Sequence, residues 1–512
     1  MPAPSVALTI SGLYLSVCLV LGLWPRRQTS DSAEGYVAGD RDFGLVLTYF
    51  ITGATIFSAF AFLGAPGRVY SQGAAAYYIL GYGGIGLVPL YFLGPRASRV
   101  GRVYGFVTQA EMVSFRYQDR RLAGVMSIVS VTAFICYLAL QMKGAGYVLE
   151  VTSGGLIPAW VGALIVYTIV AIYVLQSGVL GVGWTNVFQG VFMMVLAWGL
   201  GLYLPYLLHG GVQPMFEKLA AADPQHLLPP GGDGRGGRWT WTAYSSAVLV
   251  SMLGFSMWPH TFMRAFSARS EQTLRWSIVL FPTFQAFLVP LFLIGFAGIG
   301  FSPAPDRPDQ ILPHLLVHLE LPAVVGGLFC AGALAASMST GDALAHAAGA
   351  VTVRDGLVGA AGFSFSPTME RRLMRVVVVI VLVTAYVAAM VYQGSLVNLL
   401  LMSFGAVVQF TPGVALALYD RRGSGTAVFG GLVAGAVVTG VLTLWPSLRF
   451  TDLHPGLIGL FVNVGVLALL RQVVPASAPD RAQAFIDVAQ RRFRKPAPTA
   501  TASLAESRRP VA

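Results

Sequence analysis

The sequence predicts an all-α protein that crosses a membrane many times, and three observations predict it. Hydrophobic residues fill 55% of the 512 positions and charged residues only 11%, under half the ~25% of a soluble domain. The apolar residues gather into long runs, most near the ~20 residues that carry a helix across a ~30 Å hydrocarbon core. The arginines between the runs fall mainly on alternate loops, as the positive-inside rule requires.

Roughly thirteen spans follow from these runs, at 6–24, 43–64, 75–95, 122–147, 156–177, 181–207, 243–264, 275–299, 321–348, 373–393, 396–419, 426–446 and 456–474. The first is long for a signal-peptide core and is followed by Arg26 and Arg27, so it reads as a retained helix with its N-terminus outside. On that topology the loops holding Arg96 to Arg121, Arg264 to Arg275, and Arg354 to Arg375 lie inside. The loops at 208–242 and 300–320 lie outside, with Trp239 and Trp241 at the interface. Residues 1–474 form one polytopic domain. A basic tail at 475–512 reads as cytoplasmic and mostly disordered, apart from an amphipathic stretch from Asp480 to Phe493. The net charge of +11 reflects this topology; it does not point to nucleic acid. Cys18, Cys136 and Cys330 sit in apolar runs with no pairing pattern.

Two spans are interrupted. The second reads Thr52-Gly53-Ala54-Thr55-Ile56-Phe57-Ser58, then Gly64-Ala65-Pro66-Gly67. The seventh reads Gly254-Phe255-Ser256-Met257-Trp258-Pro259-His260. Such segments unwind where they line a cavity, and two of them five spans apart suit an inverted-repeat transporter.

Three further stretches stand in order along the chain. They are Tyr36-Val37-Ala38-Gly39-Asp40-Arg41, Gly183-Trp184-Thr185-Asn186-Val187-Phe188-Gln189-Gly190, and Ala335-Ala336-Ser337-Met338-Ser339-Thr340-Gly341-Asp342 followed by Val353-Arg354-Asp355. Together with Phe62 to Gly67 they resemble the sodium:solute symporter family, from about residue 6 to 474. The resemblance implies a leucine-transporter-type fold of five plus five inverted spans, with repeats at 43–207 and 243–419. It also implies Na⁺-driven uptake of a small organic solute. The matched motifs place a sodium ion between the second and ninth spans, on carbonyls of Ala54, Phe57 and Ala336 and hydroxyls of Ser339 and Thr340. Unwound backbone and hydroxyls give a hard cation its oxygens without a buried carboxylate. The same small residues also serve close helix packing. Several relatives carry Asp where this chain has Asn186, so a second sodium is in doubt and a proton stays open as the coupling ion.

Ionisable groups within spans are costly and mark function. Lys143 either snorkels to the interface or draws an anionic solute, with Gln141 beside it. Asp342 and His346 share a helix face and read as an inner-gate ion pair or a proton relay, coupled with Asn186. Trp258-Pro259-His260-Thr261-Phe262 resembles the monocarboxylate and pantothenate branch. The expected solute site is therefore Ser58, Gln141, Lys143, Trp258 and His260. The expected solute is a small organic anion such as acetate, pyruvate or lactate, with pantothenate or proline as the alternative.

Other motifs lead nowhere. Gly81-Tyr82-Gly83-Gly84-Ile85-Gly86 satisfies a dinucleotide fingerprint but lies within a span. His314 and His318 have helical metal spacing in an outer loop with only Glu320 near. Gly94 to Arg102 resembles a major-facilitator loop with Ser98 in place of its Asp. No cluster of acid, base and metal ligands suggests an enzyme.

Overall fold

In the computed structural model, which describes residues 4–24, 32–232, 237–392 and 396–490, helix follows helix. Lipid offers no water to backbone N–H and C=O groups, so each apolar run closes its hydrogen bonds within itself. The chain runs through α1 Pro4–Leu23, α2 Ala33–Ala38, α3 Leu45–Ala54, α4 Ala65–Gln72, α5 Tyr77–Ile85, α6 Val88–Tyr104, α7 Gln109–Tyr117 and α8 Arg120–Thr152. It continues through α9 Ala159–His209, α10 Val212–Ala222, α11 Trp241–Met257, α12 Pro259–Phe262, α13 Arg264–Ser267, α14 Glu271–Gln285 and α15 Leu288–Ala297. It ends with α16 Ile311–His318, α17 Ala323–Ala350, α18 Pro367–Val391, α19 Leu396–Val407, α20 Phe410–Tyr419, α21 Gly425–Leu444, α22 Pro455–Val473 and α23 Pro479–Gln490.

The axis of the bundle is α17. Every residue from Phe329 to Ala350 is buried, against α1, α8, α9 and α18. Its run of Ala, Gly and Ser keeps side chains small enough for four neighbours to approach. The hairpin of α21 and α22 uses the same device: a Cβ on Gly459 would meet the Gly435 carbonyl at 2.5 Å.

Among the described residues, ten segments are long and apolar enough to cross a membrane. Two physical reasons keep this below the number of apolar runs. The breaks leave α3 with 10 residues and α11 with 17. And the runs at 156–177 and 181–207 are joined directly within α9, which turns at Gly178 (φ 58°, ψ −148°). Only glycine suits that backbone, and a Cβ there would also meet the Tyr36 ring at 2.7 Å.

The segments at 208–242 and 300–320, expected outside, hold more helix than their turn residues suggest, in α10 and α16. Trp239 stacks edge-on to Tyr78 at 5.5 Å with the Arg68 guanidinium 4.7 Å from its ring. At the other end of the molecule the amphipathic stretch forms α23, burying Ala482, Phe485, Ile486 and Ala489. Phe485 stacks on Tyr104 at 5.8 Å, and Arg99 donates to the Ala489 carbonyl (2.7 Å) while pairing with Glu271. Arg26, Arg27 and positions 491–512 lie outside the described residues.

The helix contacts are tight enough to test. A Cβ on Gly201 of α9 would stand 2.4 Å from the Pro290 carbonyl of α15. Overpacking costs about 1–3 kcal/mol where neighbours can shift, and here the neighbour is backbone. Gly201→Leu is expected to cut the yield of monodisperse protein in detergent at least fivefold, read by size-exclusion chromatography. A normal yield would mean that α9 and α15 are not in this contact.

Candidate functional site

Two breaks face each other across the bundle, and the side chains around them form the site. Helix α3 ends at Ala54, the chain unwinds over 55–58, and it re-enters helix through a wide π turn at Phe60–Gly64. The freed backbone finds substitutes. Ala59 N–H donates to Gln141 Oε1 of α8 at 2.8 Å, and Ser58 Oγ accepts from Phe60 N–H at 3.2 Å. Helix α11 stops at Trp258, whose ψ of 124° leaves the helical region ahead of Pro259. Ser256 Oγ ties this end to the Gly86 carbonyl (2.6 Å).

The first break meets α17 at a set of oxygens. Ser339 Oγ donates to the Ala54 carbonyl (2.9 Å) and lies 3.2 Å from the Ala336 carbonyl. Thr340 Oγ1 is fully buried and has no partner. An unpaired buried hydroxyl is costly. Its oxygen, the Ser339 hydroxyl and the carbonyls of Ala54, Phe57 and Ala336 have the chemistry a hard monovalent cation requires. The Phe57 ring stacks on Phe284 at 5.2 Å and fixes the unwound strand laterally.

The second break walls a cavity of about 30 Å³, enough to hold a water molecule. Trp258 and His260 line it, with Tyr82, Tyr137, Thr261 and Phe404. Trp258 packs 5.2 Å from Tyr137 and 5.8 Å from Phe404. Three buried nitrogens at or beside this wall lack partners: Trp258 Nε1, Gln141 Nε2 and His260 Nδ1. The first two can only donate. Ser58 and Gln141 thus belong to the break beside the cavity, and Trp258 and His260 to its wall. Lys143 stands apart: its Nζ donates to the Tyr392 carbonyl at 2.7 Å.

The residues expected to couple, Asp342, Asn186 and His346, separate into two groups, not one pair. Asp342 accepts from Tyr173 Oη (2.8 Å), Thr185 Oγ1 (3.2 Å) and Asn186 Nδ2 (3.2 Å), all on α9. His346 Nε2 lies 2.9 Å from the Tyr36 carbonyl. The ion pair expected from helical spacing gives way because α9 supplies three donors to the carboxylate and α2 supplies an acceptor to the imidazole. Sequence reasoning missed Tyr173, which a helix pattern cannot connect to α17, and the aromatic wall of Tyr82, Tyr137 and Phe404. Tyrosines in mid-span were the one available signal for both.

The end of the bundle that holds Phe43 and Ser267 is sealed; the expected topology makes it the inner one. Phe43 N–H donates to the Ser267 carbonyl (3.1 Å), and Arg269 N–H donates to the Phe43 carbonyl (3.0 Å). Arg41 bridges the carbonyls of Phe266 (3.2 Å) and Phe106 (2.9 Å). The segment before the first break is thereby stapled to the segment after the second.

Comparison with known proteins bears on the family and the fold. A profile described as the sodium:solute symporter family matches residues 36–435. The symporter YhjB of Bacillus subtilis (strain 168) is 29% identical over 93% of this chain and 100% of its own length. The monocarboxylate transport permease protein of Rhizobium johnstonii is 23% identical, over 93% of this chain and 98% of its own. The sodium/pantothenate symporter of Escherichia coli (strain K12) is 27% identical, over 86% and 91%. Among solved structures, the substrate-bound outward-open state of a Na⁺-coupled sialic acid symporter superposes with a TM-score of 0.77, over 92% of this chain and 98% of that one, at 18% identity.

Proposed function

The chain belongs to the sodium:solute symporter family, a multi-pass membrane transporter with Na⁺ as its coupling ion, and from that premise we propose that it takes up a small monocarboxylate by alternating access. One observation carries the solute class. Trp258 Nε1, in the wall of the cavity between the breaks, and Gln141 Nε2, on the break beside it, are buried donors without partners and suit a group that only accepts. A carboxylate is such a group. The likeness to the monocarboxylate permease supports the same reading. Pantothenate and proline are the alternatives, and both carry a carboxylate.

In this reading Na⁺ sits among Ala54, Phe57, Ala336, Ser339 and Thr340 and holds the first break against α17. The solute lies against Ser58, Gln141, Trp258 and His260. Asp342, Asn186 and His346 link α17 to α9 and α2, so movement of α17 is felt at the inner seal. The assignment also carries about thirteen crossings, an outside N-terminus and repeats at 43–207 and 243–419.

Lys143 separates this reading from simple attraction by surface charge. Lys143→Met is expected to leave the half-saturating solute concentration within about threefold, since its ammonium serves Tyr392. A tenfold rise with normal expression would return Lys143 to the solute path. The function itself is tested by competition: unlabelled acetate, pyruvate, lactate, pantothenate and proline against labelled pyruvate in Na⁺-loaded uptake. Block by the first three alone supports the reading; block by pantothenate or proline alone overturns it.

A further inference from the structure

Among the described residues three arginines are buried: Arg99, Arg116 and Arg264. Arg99 pairs with Glu271 and the Ala489 carbonyl, and Arg116 donates to the Asp420 carbonyl. Arg264 differs. It is 2% exposed; its Nε and Nη1 have no hydrogen-bond partner, as is also true of Arg116, but Arg116 keeps one acceptor in the Asp420 carbonyl, whereas among the described residues no acceptor bonds any Arg264 nitrogen. Among the described residues no carboxylate pairs with it. Asp342 is near enough for its charge to act on the guanidinium, but its oxygens are held by Tyr173, Thr185 and Asn186. His346 is held by Tyr36.

A buried guanidinium without an acceptor is strongly unfavourable. A transporter can retain one if an anion meets it at some stage of the cycle. The place of Arg264 in the fold says which stage. It opens α13, one helical turn after His260 on the same face. His260 lines the central cavity and its Nδ1 is also unpartnered. Three residues beyond Arg264, Ser267 makes the inner seal with Phe43. Arg264 therefore stands between the central cavity and the seal, on the segment that must part from Phe43 for the inner side to open.

We propose that Arg264, with His260 above it, forms a second, inner binding site for the carboxylate of the solute, occupied as the seal opens and before release. The guanidinium fork matches a carboxylate with two parallel N–H···O bonds. Trp258 and Gln141 hold the carboxylate while the seal is closed, and Arg264 takes it over as Ser267 leaves Phe43. The inference rests on the solute being a carboxylate, which holds equally for a monocarboxylate, pantothenate or proline.

The test uses the full chain in proteoliposomes, with labelled pyruvate, pantothenate, proline and glucose. Half-saturating concentrations are measured for uptake from outside and for efflux from inside. R264Q is expected to raise the internal half-saturating concentration of the carried carboxylate at least tenfold while the external value stays within threefold. R264K keeps the charge and loses the fork, so it should show the same asymmetry at smaller size, and it serves if R264Q folds poorly. Unchanged efflux in R264Q or R264K would overturn the inner site. So would recovery of efflux in R264Q combined with D342N, because that recovery marks a structural ion pair. If pantothenate or proline moves and pyruvate does not, and the asymmetry persists, the monocarboxylate reading falls and the inner site stands. Transport of glucose alone would overturn both.

Discussion

Replacing Thr340 with alanine is expected to raise the Na⁺ concentration for half-maximal uptake by about 10- to 150-fold. The range follows from the ~1.5–3 kcal/mol that a hydrogen-bonding group contributes when its partner is charged, at tenfold per ~1.4 kcal/mol. In the closed structure the Thr340 hydroxyl has no partner to lose, so removing it leaves no protein group unsatisfied. That makes the variant a clean one: folded yield should be unchanged and only Na⁺ dependence should move. Thr340→Ser keeps the oxygen and should stay within threefold of the parent. Ser339→Ala should shift Na⁺ dependence in the same direction, with an added folding cost, because its hydroxyl also bridges to the Ala54 carbonyl. Unaltered Na⁺ dependence in both alanine variants would remove this sodium site.

Trp258→Ala is expected to raise the half-saturating solute concentration at least thirtyfold. The indole supplies both a wall of the cavity and an unpartnered donor. It is also wedged between Phe134, Tyr137 and Phe404, so truncation opens space in a core where Trp→Ala costs about 3–5 kcal/mol. Trp258→Phe separates the two contributions. It keeps most of the packing and loses the N–H, so it should raise the solute constant by about 5- to 12-fold, the share of one net hydrogen bond of about 1–1.5 kcal/mol. Equilibrium binding of labelled pyruvate to purified protein measures both. A phenylalanine variant with parental affinity would show that the indole N–H does not touch the solute.

Much of this was legible in the sequence, for reasons that differ by element. The breaks at 52–58 and 254–260 announced themselves because small and hydroxyl residues cluster there in mid-span, next to Pro259 and Pro66, a combination that suits unwound backbone lining a cavity. Ser339 and Thr340 came forward as candidates through the resemblance that the residues around them carry. The pairing of Asp342 was not. Helical spacing offered His346, and only the tertiary placement of α9 brings Tyr173 and Thr185 to the carboxylate. The join at Gly178 was hidden for a related reason: one glycine with positive φ does the work of a loop, and composition shows only its two flanking runs. Lys143 misled because an ammonium in an apolar run suggests the solute path, while the backbone carbonyl that takes it belongs to Tyr392, far along the chain. Arg264 stood in the sequence only as one of the arginines of an inner loop; its burial without a partner is visible only once α13 is folded against α6.

The most direct test of Na⁺-driven monocarboxylate uptake is the accumulation of labelled pyruvate and acetate in proteoliposomes. An inward Na⁺ gradient is imposed first, and then an inward proton gradient without Na⁺. Accumulation above equilibrium under the Na⁺ gradient, absent under the proton gradient and blocked by excess lactate, is the predicted result. Accumulation driven by protons alone, at full rate without Na⁺, would contradict it.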